Sequence, residues 1–90
     1  MPGETHQADE VRRRRLRWRA RRGLLENDLV MARFFDRFES GLGDDDVAGL
    51  DRLLDLPDGE LLELILGRRE LEGAAATPQA QRVLAMLRSV

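Results

Sequence analysis

An all-α fold, a small compact five-helix bundle forming a single domain, is predicted by three features of the sequence. Apolar residues recur at three- and four-residue steps, glycine or proline interrupts that pattern at four places, and no segment sustains a two-residue alternation rich in β-branched side chains. A chain of 90 residues makes one domain at most, because a domain this short buries only about 60–65% of the surface its unfolded form exposes.

Residues 1–8 are polar, contain Pro2 and Gly3, and are expected to form a disordered tail ahead of a helical domain over 9–90. The first helix is expected from Asp9, a candidate cap, to Arg22. Val11, Leu16, Trp18 and Ala20 give it only a thin apolar stripe among arginines, so it must lean on the rest of the molecule. Gly23 suits the left-handed conformation that often ends a helix. Leu25, Leu29, Met31, Phe34, Phe35 and Phe38 then mark the most regular helix, stopped at Ser40-Gly41. Asp44-Asp45-Asp46 opens a third, with Val47, Leu50, Leu53 and Leu54 on its apolar face and an acidic first turn that suits the helix dipole. After Leu56-Pro57-Asp58-Gly59, Asp58 is a candidate N-cap for the apolar run from Leu61 to Leu66, which Gly67 closes. Thr77 as cap and Pro78 at the first helical position start the last helix, with Ala80, Val83, Leu84 and Leu87 facing inward. Phe34, Phe35, Leu53 and Leu54 are assigned to the core.

Composition excludes several classes of function. There is no Cys, hence neither a disulfide framework nor thiolate metal ligands. The single His, His6, lies in the tail, and no glycine-rich phosphate loop is present, so the chain is not expected to be an enzyme. Asp44-Asp45-Asp46 lacks the alternate-residue spacing and closing Glu of a calcium loop, and reads as a solvated helix N-terminus. Apolar runs such as Leu64-Ile65-Leu66 fall far short of the roughly 20 residues needed to span a bilayer, and the acidic, weakly apolar N-terminus resembles neither a secretory nor a transit peptide. A cytoplasmic protein is expected.

The net charge is −2, but nine arginines fall between Val11 and Arg33 against two acidic residues, Glu26 and Asp28. All fifteen basic residues are Arg and none is Lys, which alongside the richness in Ala, Gly and Leu looks like GC-rich coding bias, so arginine identity is discounted as a functional clue. The cluster from Arg12 to Arg22, with Trp18 inside it, could track a phosphate backbone and stack on a base, or form a solvated face with Trp18 in the core. The acidic overall charge favours the second reading.

Arg22-Gly23-Leu24-Leu25-Glu26 is the most distinctive stretch. A capping glycine between two helices is one account of it. The other is a partner-facing corner, where a residue without a side chain admits a neighbouring backbone, and Arg22 could fork onto a partner carboxylate. Trp18, Arg21 to Glu26, Asp28, Met31, Phe34-Phe35, Leu42, Asp46 and Leu53-Leu54 together resemble the succinate dehydrogenase assembly factor family, with its RGxxE motif, over about Leu16 to Gly67. The chain departs from the family pattern at Leu64, where an aromatic is usual, and at Gly59, where Pro is common.

The resemblance implies a five-helix bundle, matching the periodicity, and supplies a function that the periodicity does not. It implies an assembly factor that binds the flavoprotein subunit of succinate dehydrogenase, or of fumarate reductase, and promotes covalent attachment of FAD to a histidine of that subunit. It further implies that Arg22, Gly23 and Glu26 lie at the partner contact, flanked by Trp18 and Asp28. No cofactor is expected to be resident in the chain, since the FAD is inserted into the partner. A nucleic-acid-binding helical module and an antitoxin-like interaction module stand as the alternatives.

Overall fold

The computed structural model describes residues 8–20 and 25–90. Five α-helices follow one another, α1 (Glu10–Ala20), α2 (Leu25–Phe38), α3 (Asp44–Leu54), α4 (Asp58–Ile65) and α5 (Pro78–Arg88), with short 3-10 turns at Glu39–Gly41 and Gly73–Ala75. No strand occurs among the described residues. The Cα radius of gyration is 12.6 Å, close to the roughly 12 Å of a compact chain of this length.

The helix ends follow local chemistry. The Asp9 carboxylate accepts the Arg12 amide at 3.1 Å, and the Thr77 hydroxyl accepts the Ala80 amide at 3.1 Å with Pro78 next to it. At the end of α4, Gly67 takes φ of +77°. The amides of Gly67 and Arg68 turn back onto the carbonyls of Leu64 and Glu63 at 3.1 and 2.9 Å, which is the Schellman arrangement and favours glycine there. Arg88 of α5 then reaches the Leu64 carbonyl with Nε at 2.8 Å and the Arg69 carbonyl with Nη2 at 3.0 Å, so one guanidinium ties the end of α5 to the end of α4.

One expected cap is corrected. Asp58 is the first helical residue of α4, not its N-cap. Pro57, extended at φ −58° and ψ 149°, holds the boundary position, and its carbonyl already accepts the Leu61 amide at 3.0 Å. The acidic run opening α3 is also less solvated than expected. Asp44 and Asp45 are exposed, but Asp46 is buried, accepts the Gly43 amide at 3.2 Å and pairs with Arg82 of α5 at 2.9 Å. It sits at the third helical position, where a carboxylate can turn back to the boundary amide.

The core joins Met31, Phe34 and Phe35 of α2 to Leu50, Leu53 and Leu54 of α3, Leu61 and Leu64 of α4, and Val83, Leu84 and Leu87 of α5. Phe34 packs edge-on against Phe35, ring centroids 5.3 Å apart. Leu42 and Leu71, from the connections, are buried too. The most extensive helix pairing is α3 with α5.

Helix α1 is attached differently. Only Leu16 and Ala20 are buried in it, four residues apart on one face. Trp18 falls about 200° round the helix from each of them and is 74% exposed. Trp18 is therefore not a core residue, and Val11 and Leu29, from the apolar stripes expected of the first two helices, are also exposed. What α1 lacks in apolar contact it makes up in ion pairs to the body of the molecule. Arg17 meets Glu39 at 3.1 Å, and Arg19 reaches Asp51 and Asp55 of α3 with its two terminal nitrogens.

Candidate partner-binding site

The first turn of helix α2 carries Glu26, Asn27 and Asp28, and the three side chains diverge because successive helical positions are about 100° apart. Asn27 points inward and is completely buried. Glu26 is exposed and Asp28 partly so. Two carboxylates in the first turn suit the positive end of the helix dipole. Asn27 fixes this turn in place by donating its side-chain amide to the Asp58 carbonyl at 3.1 Å, linking the start of α2 to the start of α4. Its own carbonyl oxygen is buried without a hydrogen-bond partner. Sequence reading passed over Asn27 because it is polar. Yet it lies four residues before Met31 and seven before Phe34, on the face those residues bury, and that spacing was the available signal.

Trp18 and Asp28, from different helices, are brought together on one groove between α1 and α2 of about 520 Å³. Met31 and Phe35 line it as well, beside Arg14 and Arg17. The Arg17 guanidinium lies over the Phe35 ring, 5.5 Å from its centroid, while also holding Glu39. Glu26 stands outside this groove's lining. Arg22 and Gly23 lie outside the described residues, as do the turn and the Arg22–Glu26 pairing that their spacing suggests.

The arrangement offers recognition, with an exposed indole, an apolar floor and charges of both signs. No grouping of His, Cys, Asp and Glu suited to a metal occurs among the described residues. Arg14, Arg17 and Arg19 are engaged with acidic groups of the same chain, which leaves the basic helix less cationic toward a phosphate backbone than its sequence suggests. No helix of the structure, among the described residues, is long and apolar enough to cross a membrane.

Comparison with known proteins gives a consistent picture. A family described as flavinator of succinate dehydrogenase matches residues 14–90. The FAD assembly factor SdhE of Ralstonia nicotianae is 56% identical over 86 residues, covering 96% of this chain and 90% of that protein. The FAD assembly factor SdhE of Pseudomonas aeruginosa is 32% identical over 77 residues, covering 86% of this chain and 92% of that protein. A mitochondrial succinate dehydrogenase assembly factor 2 from Debaryomyces hansenii is 40% identical over 58 residues, 63% of this chain and 41% of its own length. No solved structure matches the chain.

Proposed function

Since this chain belongs to the flavinator of succinate dehydrogenase family, we propose that it binds the flavoprotein subunit of succinate dehydrogenase and promotes covalent attachment of FAD to that subunit. The family is one of assembly factors, not of enzymes. The observation that carries the reading is the match across nearly the whole chain, from residue 14 to residue 90. Fumarate reductase, whose flavoprotein poses the same assembly problem, is a second client of the same kind. We place this action in the cytoplasm, in keeping with the bacterial relatives.

The chain's contribution is binding and orientation. Holding the immature flavoprotein in the conformation where its histidine and flavin are aligned converts binding energy into positioning, and the chain need supply no nucleophile or acid. Arg22, Gly23 and Glu26 form the centre of the contact, with Trp18 and Asp28 beside it. Two features support this assignment. Trp18 and Glu26 are both exposed, where the fold alone gives no reason for a tryptophan, and Trp18 and Asp28 share one groove.

Capture tests the partner. Purified chain immobilised through a terminal tag should retain the flavoprotein subunit of succinate dehydrogenase from a mixture of that subunit and its iron–sulfur partner. Retention of neither subunit would refute the reading.

A further inference from the structure

We propose that the groove between α1 and α2 receives an acidic segment of the flavoprotein that carries one large apolar side chain. This rests on the partner reading above and adds the chemistry which that partner must present.

The apolar half comes from the floor and wall of the groove. Met31 and Phe35 belong to the core yet line the groove, and Trp18 stands beside them with 74% of its surface exposed. An indole leaves a large apolar area in water unless something covers it, and aromatic side chains beside a pocket are the usual anchors of a protein interface. The opening of about 520 Å³ is large enough for a side chain and its flanking backbone.

The acidic half comes from charge. Helix α1 carries six arginines against Glu10. Arg14 stands at the groove with 77% of its side chain exposed, and its ion pair is to Glu10 one turn away at 2.8 Å. Such an exposed pair is weak enough to be exchanged for a partner carboxylate. Arg17 is held in place by Glu39 and by the Phe35 ring, so its charge is fixed beside the apolar floor. Asp28 also lines the groove, and its carboxylate excludes a second anion from its own side. The segment's carboxylate therefore belongs at the Arg14 and Arg17 side, with its apolar residue between Trp18 and Phe35.

The test uses the full chain and the purified flavoprotein subunit with FAD bound but not covalently attached, with affinity measured by calorimetry at low and high salt. Trp18→Ala removes the wall, and Ala32→Trp fills the groove from an exposed lining position. Each should weaken binding by roughly tenfold or more without moving the helical melt. Arg14→Glu should weaken binding most at low salt, with the deficit shrinking as salt rises. Unchanged affinity in both Trp18→Ala and Ala32→Trp, with Glu26→Ala still losing affinity, overturns the groove assignment and leaves the proposed function standing. A loss in Arg14→Glu that is the same at all salt concentrations overturns the acidic half. If the unaltered chain does not bind the flavoprotein, both the groove and the function fall.

Discussion

Gly49 of α3 lies so close to Gln79 of α5 that a Cβ built at position 49 would come within 2.6 Å of the Gln79 carbonyl carbon and 3.0 Å of the following Ala80 nitrogen. Backbone cannot move aside as a flexible side chain can. The most extensive helix pairing in the fold thus depends on a residue without a side chain, and Gly49→Ala must push α3 and α5 apart. The gain in helix propensity from alanine, about 1 kcal/mol, is outweighed by overpacking of about 1–3 kcal/mol or more. We expect a lower midpoint in urea for Gly49→Ala, and a further loss for Gly49→Val.

Much of the fold was legible in the sequence because its helix ends rest on local chemistry. Thr77 with Pro78 and the left-handed Gly67 act as their residue types imply, and the spacing of Met31, Phe34 and Phe35 gave the buried face of α2 directly. Other features depend on tertiary partners. Trp18 was ambiguous because a helix with six arginines has too few apolar residues to define an inward face. Asp58 has the right chemistry for a cap, but Pro57 before it already takes the extended conformation. Leu71 lies in a connection, where periodicity says nothing about burial. Of the site, the residues from Arg22 to Glu26 were legible only through family resemblance, since five positions around a glycine carry little physical information. The groove needed two helices to be placed before it existed.

The attachment of α1 should be local and salt-sensitive. Its contacts beyond Leu16 and Ala20 include Arg17–Glu39 and the fork of Arg19 onto Asp51 and Asp55, all partly exposed. Exposed pairs contribute about 0–1 kcal/mol each and are screened by salt. Arg19→Ala should therefore accelerate hydrogen exchange of α1 amides while leaving those of α3 and α5 unchanged, and high salt should do the same to the unaltered chain.

Asn27 should tolerate loss of its polarity better than a gain of charge. Asn27→Leu removes the donor to the Asp58 carbonyl but also removes a buried acceptor that has no partner, so the cost should be near 1 kcal/mol. Asn27→Asp turns an ionised carboxylate toward that carbonyl in a fully buried position. It should cost at least about 2 kcal/mol. Urea denaturation of the two variants at neutral pH gives the order directly, and equal midpoints would show that the Asn27–Asp58 link does not shape the start of α2.

The central claim is that the chain drives covalent flavin attachment through the Arg22-to-Glu26 segment. The most direct measurement is covalent flavin on the flavoprotein subunit, read as fluorescence of the denatured subunit in a gel, in cells whose own assembly factor has been deleted. Expression of the unaltered chain should restore the fluorescence. Glu26→Ala should fail to restore it while its helical melt stays within about 1 kcal/mol of the parent, as expected for an exposed position. No restoration by the unaltered chain, or full restoration by a stably folded Glu26→Ala, would contradict the account.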